Sequence, residues 1–214
     1  MNRKRTISVI LILISIVLAA AIIYKLVKYF EPNKELEKSK ITLQDRELDI
    51  MFGNDSAQNT VYMYSNYGCP VCRKFLTNVI PAMETEFFQT KRLKINMRLT
   101  LKTENMDILN SMRASVCVNH YGNFEYLHQL LLSQSNIIYT AEFENMVNSF
   151  VDKDPFVAEC IMAGASDAYL NSNLEEFEQL GFKGTPSFVL NGYSIQGFGD
   201  YLGFRKKILQ ILDK

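Results

Sequence analysis

The hydrophobic and polar residues change pattern several times along the chain, and each pattern predicts a different element. Residues 6–24 form a run of 19 residues without a charge. Residues 60–64 form a short β-branched and aromatic run, which is typical of a buried strand. From about residue 104 to 180 the chain reads as several short helices, and no run there predicts a strand. The pattern therefore predicts an apolar N-terminal segment and then an α/β domain with an inserted all-helical subdomain.

The apolar segment follows a basic cluster at residues 2–5. As a helix, the run at 6–24 would extend roughly 28 Å, close to the hydrocarbon thickness of a bilayer. A cleavable signal peptide has a shorter apolar stretch and ends at small residues, which Ala19, Ala20 and Ala21 could supply. Because the apolar run continues to Tyr24, its length favours an uncleaved signal anchor, a single transmembrane helix within residues 1–30.

Orientation follows from the basic residues before this segment, which favour a cytoplasmic N-terminus. Residues 31–48 mix both charge signs and predict a solvated linker, so we place the folded domain at 49–214. We expect it to face the periplasm or another extracytoplasmic side of the cell (inner) membrane. Signal cleavage would instead leave it soluble in the periplasm. Either outcome puts the domain in an oxidising compartment, where disulfides persist.

Two later patterns predict the remaining strands. Residues 91–101 alternate cleanly, which predicts a half-exposed strand with apolar side chains on one face. Its opposite, exposed face would carry Lys94, Asn96, Arg98 and Thr100. Residues 187–190 and 193–196 predict a hairpin, since Asn-Gly between two short strands is a strong turn signal. Residues 200–214 then predict a closing helix.

Candidate chemistry lies at Cys69-Pro70-Val71-Cys72, between a predicted strand and a predicted helix. Proline is tolerated in the first helical position, and unpaired N–H groups with the helix dipole stabilise a thiolate there. The pKa of such a cysteine falls well below that of a free thiol. Cys72, about one turn further on, could attack a mixed disulfide on Cys69 and release the substrate. We therefore assign Cys69 as the nucleophile and Cys72 as the resolving thiol.

Other interpretations of the cysteines are weaker or remain open. A metal site would need two further ligands, yet no second C-x-x-C or His pair at ligand spacing is present, so no metal is expected. His120 and His128 are expected to pack or to lie at a surface. Cys117 and Cys160, both in the helical insertion, are either two buried apolar residues or a structural disulfide.

The order of these features resembles that of the DsbA-like thiol:disulfide oxidoreductases. The resemblance covers roughly residues 49–212 and rests on C-P-x-C followed some 110 residues later by Gly184-Thr185-Pro186-Ser187-Phe188, with residues 122–128 also similar. It implies a thioredoxin fold with a helical insertion (about 104–180) and a cis bond before Pro186. It also implies that Thr185 and Pro186 lie beside the cysteines and bind substrate chains. Family members with cysteines at positions like Cys117 and Cys160 often join them.

The resemblance also implies an activity, and two residues depart from the family's pattern. We expect an oxidase that donates the Cys69–Cys72 disulfide to exported proteins with free thiols and is reoxidised by a membrane partner of DsbB type. Strong oxidants of the family usually carry His before the second cysteine, whereas Val71 cannot stabilise a thiolate there by charge or by a side-chain hydrogen bond. Many members have an acidic residue at the position of Met63.

Val71 motivates an alternative, a membrane-tethered reductase or isomerase kept reduced by a membrane electron donor. A chaperone that uses the groove beside Pro186 without redox chemistry, and metal delivery, are further alternatives. No cofactor is expected beyond the redox-active disulfide. The formal net charge is zero, so electrostatics give no reason to expect nucleic acid as a partner.

Overall fold

The structure, a computed structural model of the chain, describes residues 3–30, 37–39, 41–102, 105–134 and 140–214. The chain divides into two compact units, Met1–Leu36 and Glu37–Lys214. In the first unit, α1 is a helix at Arg3–Phe30. Within the described ranges, no helix has both the length and the apolar character required to cross a membrane. The transmembrane helix expected within residues 1–30 is therefore not confirmed.

The second unit contains a mixed sheet and two groups of helices. Its strands are β1 Glu37–Lys38, β2 Ile50–Gly53, β3 Thr60–Ser65, β4 Lys94–Leu99, β5 Ser187–Leu190 and β6 Tyr193–Gln196. Its helices are α2 Pro70–Met83, α3 Met106–Tyr121, α4 Phe124–Ser133, α5 Ala141–Val151, α6 Pro155–Met162, α7 Ala165–Gln179 and α8 Tyr201–Leu212, with a π-helical turn at Glu84–Phe88. The predicted α/β fold is confirmed.

The strands pair in the order β1-β6-β5-β3-β4-β2. Only the β3–β4 pair among the described strands is parallel, and the other pairs are antiparallel. The β5–β6 hairpin turns at Asn191 and Gly192, whose φ values of 48° and 76° are the left-handed values that this tight turn requires. β3 thus lies in the middle of the sheet and runs directly toward the cysteine motif.

Both faces of the sheet are covered by apolar side chains. On one face, Phe75 of α2 packs against Phe188 of β5 with ring centroids 5.0 Å apart, and Phe204 of α8 packs against both rings. On the other face, Tyr64 and Val189 form a cluster with Leu180 and Phe182. The side chains of neighbouring residues on a strand point to opposite faces, so each strand contributes to both layers.

The segment before β2 differs from the predicted linker. Residues 31–36 and 40 lie outside the described residues, but Glu37–Lys38 pairs with β6, and Ile41 and Leu43 pack against the Tyr64 cluster. The folded unit therefore begins at residue 37 rather than 49. Charged residues are common on the edge strand of a sheet. The charged composition of this segment therefore did not distinguish an edge strand from a solvated spacer.

β4 is not half-exposed, as its alternation predicted, because all six of its residues are buried. The polar face of the strand is covered by residues 44–49 and by α7. Arg98 there pairs with Asp49 and Glu176, and Lys94 pairs with Asp45 and Asp55. The charges are buried because each finds a partner of opposite sign, a condition that the strand's own sequence does not reveal.

Candidate active site

Cys69 caps the N-terminus of α2, directly after the turn that follows β3. Its backbone is extended, with φ −80° and ψ 117°, and Pro70 occupies the first helical turn, where no N–H is needed. The backbone N–H of Cys72 donates to the Cys69 Sγ at 3.4 Å. The Cys69 sulfur thus occupies the place that an oxygen of Ser or Asp usually takes at a helix N-terminus.

Thr185 and Pro186 lie against this cap, although they are more than a hundred residues away in the sequence. The Cys69 Sγ donates to the backbone oxygen of Thr185 at 3.3 Å, and the Thr185–Pro186 peptide bond is cis. The Nδ2 of Asn66 donates to the Thr185 Oγ1 at 3.2 Å. The structure therefore brings the predicted cysteines, which follow β3, and the predicted Thr-Pro loop, which leads into the neighbouring strand β5, into one site.

The two thiols, which are both free, have different environments. Burial opposes ionisation of Cys69, but hydrogen bonds from the Cys72 thiol, Thr185 and the backbone N–H groups of Cys72 and Val71 outweigh it, so the pKa of Cys69 is lowered. Cys72 is fully buried, and burial raises its pKa to about 11. Of the two thiols, Cys69 is therefore the more easily ionised and the more accessible, whereas Cys72 holds its proton near neutral pH.

The remaining motif residues do not add charge to the site. Pro70 is exposed, and Val71 exposes 41% of its surface beside the cysteines. Val71 acts on the Cys69 thiolate through its backbone rather than its side chain. Met63, at the position where an acidic residue is common in the family that this sequence resembles, is completely buried and cannot accept a proton.

A contact that the sequence did not predict connects the active-site turn to the helical insertion. The hydroxyl of Tyr67 lies 2.7 Å from Nδ1 of His128 on α4, and both residues are buried. The rings of Phe52 and Phe124 also pack on His128, with centroids 5.3 Å away in each case. Burial lowers the pKa of His128, while Glu125 acts weakly in the opposite direction. His128 is therefore a neutral hydrogen-bonding partner for Tyr67.

This burial predicts a pH-dependent stability. The unfolded chain binds a proton on His128 below its ordinary pKa of about 6.5, whereas the native state does not until a lower pH. Stability is thus fully present above pH ~6.5 and is lost as the pH falls, by up to about 1.4 kcal/mol per pH unit. Urea unfolding of the parent and of His128→Gln between pH ~7 and ~5 measures this, because the other titrating groups are common to both. If the free energy of unfolding changes equally with pH in the parent and in His128→Gln, this prediction is wrong.

The other two cysteines form a bridge within the insertion. Cys117 of α3 and Cys160 of α6 are joined, with Cα atoms 5.8 Å apart, and both are buried. The bond ties two helices that are 43 residues apart in sequence. Its position fits a structural role.

Comparison with known proteins agrees with this fold. A protein-family model described as thioredoxin matches residues 45–209. A Rickettsia prowazekii protein whose name assigns it to the protein-disulfide oxidoreductases is 21% identical over 174 residues, which is 78% of this chain and 63% of that protein. A Rickettsia typhi protein with the same kind of name is also 21% identical, covering 78% of this chain and 64% of that one. The chain thus spans somewhat less than two thirds of these curated relatives.

Solved structures with this fold include DsbA proteins. BdbD from Bacillus subtilis superposes with a TM-score of 0.64 at 17% identity, over 84% of this chain and 98% of that one. The catalytic domain of Proteus mirabilis ScsC gives 0.62 at 22% identity, over 80% and 93%. DsbA of Chlamydia trachomatis gives 0.61 at 17%, over 80% and 96%. The DsbA-like resemblance is confirmed for the fold, and because the family match covers most of its length, the chain belongs to the thioredoxin family.

Proposed function

We propose that this protein is a protein thiol:disulfide oxidoreductase that acts through Cys69 and Cys72. The observation that carries the proposal is the Cys69 cap, where a thiol with a lowered pKa touches the Thr185 carbonyl and the buried Cys72 backbone. The names of the curated relatives support the same activity. Thr185 and the cis Pro186 border the reactive sulfur, so we assign them to substrate binding.

We propose disulfide donation as the direction of the reaction. A substrate thiolate attacks the Cys69 sulfur of the Cys69–Cys72 disulfide, and Cys72 leaves and takes up a proton. A second substrate thiolate then attacks the mixed disulfide, so the substrate is oxidised by two electrons and Cys69 leaves as a thiolate. A leaving thiol with a low pKa departs faster, and the lowered pKa of Cys69 therefore favours this direction.

The exposed, uncharged side chain of Val71 favours a second candidate function. Because the Val71 side chain adds neither a charge nor a hydrogen bond to the Cys69 thiolate, the dithiol form gains less stabilisation than a polar residue there would give, and the protein would oxidise its substrates more weakly. In that case it would act as a reductase or isomerase and receive electrons from a membrane donor.

We further propose an extracytoplasmic location, with exported proteins as substrates. The support is the uncharged run at residues 6–24 behind a basic cluster, which fits a signal anchor or a signal peptide. A quinone-linked membrane protein of DsbB type would then reoxidise Cys69 and Cys72. Carbonate extraction of membranes separates an anchored from a released domain, and protease treatment of intact spheroplasts tests its side of the membrane.

The reduction potential of the Cys69–Cys72 pair separates the two directions of electron flow. If the protein donates disulfides, equilibration with glutathione buffers should give a reduction potential of about −120 mV, which is that of a strong oxidant. A potential of about −270 mV would be that of thioredoxin. Thiol trapping in cells should accordingly find the pair mostly oxidised. A mostly reduced pair with a potential near the lower value would contradict disulfide donation and support the reductase.

A further inference from the structure

Ser65, the last residue of β3, carries a buried hydroxyl that the fold does not use. The residue is completely buried, and its Oγ has no hydrogen-bond partner within the described part of the protein. Its backbone is fully engaged, because it pairs with Leu99 and its carbonyl accepts from the N–H of Thr100 at 2.8 Å. Buried hydroxyls are nearly always hydrogen-bonded, so an unsatisfied one beside a reactive centre calls for a physical reason.

The reactive group whose ionisation this hydroxyl affects is the thiol of Cys72. Both side chains are completely buried, and the side chains of Thr185 and Ser65 favour the ionised form of Cys72 against the larger effect of burial on its pKa. Ser65 follows Met63 on the same face of β3, since side chains alternate along a strand. Thus a neutral hydroxyl is available two residues after the position where this chain lacks a carboxylate.

We propose that Ser65 is a positioning residue for the resolving cysteine, and that its hydroxyl donates a hydrogen bond to the Cys72 thiolate whenever that thiolate forms. This proposal rests on the proposed thiol–disulfide chemistry and concerns the step in which Cys72 leaves or attacks. While Cys72 is a thiol, the hydroxyl makes no hydrogen bond to any described residue, since a thiol sulfur is only a weak acceptor. A hydroxyl can rotate to serve a charge that appears, without being ionised itself.

The step balances without a further reagent. When Cys72 resolves a mixed disulfide, its proton passes to solvent and its thiolate attacks the Cys69 sulfur. The bond between Cys69 and the substrate sulfur breaks, a Cys69–Cys72 bond forms, and the substrate thiolate leaves and is protonated. Ser65 only stabilises the transient charge on a completely buried sulfur, an environment in which one hydrogen bond has a large effect.

The expected size of the effect follows from thiolate chemistry. A hydrogen bond to a charged group changes an equilibrium by about tenfold to a hundredfold, so Ser65→Ala should reduce the Cys72 thiolate fraction by that factor. Without this hydrogen bond the Cys72 thiolate is rarer but more nucleophilic. On a logarithmic scale, the rate of resolution should therefore fall by only roughly half as much as the thiolate fraction. Resolution should therefore slow by about threefold to tenfold near neutral pH.

The aromatic disulfide DTNB measures both thiols in one experiment on the reduced full-length protein. Attack by Cys69 releases the first coloured thiolate in a phase that depends on DTNB concentration, and resolution by Cys72 releases the second in a phase that does not. In Ser65→Ala the second phase should slow and its pH profile should move to higher pH, while the first phase stays within about twofold. Ser166→Ala is the matched control, since the Ser166 hydroxyl is equally buried and likewise has no hydrogen-bond partner among the described residues, but it belongs to α7 of the helical insertion.

Four outcomes decide the proposal. A slower second phase with a shifted pH profile, absent from Ser166→Ala, supports it. An unchanged second phase and pH profile in Ser65→Ala overturns it, as does an equal slowing of both phases together with reduced resistance to urea, which indicates a structural role. If the parent protein shows neither phase, the proposed function fails as well, so the two failures are distinguishable.

Discussion

Cys69→Ser should abolish disulfide exchange while leaving the fold intact. The nucleophile in this chemistry is a thiolate, and a serine hydroxyl in the same cap does not ionise near neutral pH, so the hydrogen bonds from the backbone N–H of Cys72 and from the Thr185 side chain have no charge to stabilise. Oxidation of a reduced, unfolded client protein should fall to the uncatalysed background, a loss on the order of a thousandfold or more. The half-buried side chain changes by one atom at a helix cap that serine also suits, so the urea midpoint should hardly move.

Cys72→Ser is the matched comparison for this variant. It keeps the nucleophile and its cap but removes the resolving thiol, so mixed disulfides between Cys69 and client proteins should accumulate and be visible on non-reducing gels. Retention of client oxidation by Cys69→Ser would rule out Cys69 as the nucleophile. Cells in which Cys69→Ser and Cys72→Ser are combined test the chaperone alternative, because a groove that acts without redox chemistry should keep its function there.

The cysteine site was predictable because its signals are local. The strand that ends before Cys69, the proline after it and the spacing to Cys72 lie within about a dozen residues, and each has a direct physical meaning at a helix N-terminus. The contact between Cys69 and Thr185 spans 116 residues, and only the family resemblance suggested it. Neither Tyr67–His128 nor the unused Ser65 hydroxyl has any signal in hydrophobic periodicity, since both depend on how separate elements pack.

The polar face of β4 illustrates the opposite case, in which a clear local pattern predicted the wrong environment. Alternation correctly separated the two faces of the strand, but it cannot distinguish water from a layer of charged partners. Those partners, Asp49 and Glu176, come from positions 49 and 78 residues away. The same long-range packing brings residues 41–48 onto the sheet, and this is why a segment with linker composition became part of the folded unit.

Arg98→Met should cause the largest loss of stability of any single substitution considered for this protein. Arg98 is completely buried, and its guanidinium binds both carboxylate oxygens of Asp49 at 3.0 Å and also binds Glu176. Tyr169 donates a further hydrogen bond to Asp49 at 2.7 Å, and Arg46 pairs with Glu176 at 2.7 Å. Removing the central cation leaves the carboxylate of Asp49 buried with its principal charge partner gone, which costs about 3–5 kcal/mol.

Urea unfolding measures this loss, and two further variants set its scale. Arg205→Gln removes a two-pronged contact with Glu86 on an exposed surface, so it should cost only a small fraction of the loss expected for Arg98→Met. Arg98→Lys keeps the charge but cannot bind both oxygens of Asp49 in the same way, so its loss should fall between the other two. If Arg98→Met is no more destabilising than Arg205→Gln, the buried cluster contributes little to stability.

The position of Arg98 extends the expected effect of this substitution to the active site. The guanidinium joins β4 to the carbonyl of Gln44 and, through Glu176, to α7, the last helix of the insertion. β4 pairs along its length with β3, the strand that leads to Cys69. Because α7 is held to β4 by charge as well as by packing, Arg98→Met should loosen the insertion, including the His128 contact to Tyr67. Faster hydrogen exchange at α7 and α4 than at β3 in this variant would show that loosening, whereas uniform exchange would mean that the cluster stabilises only the fold as a whole.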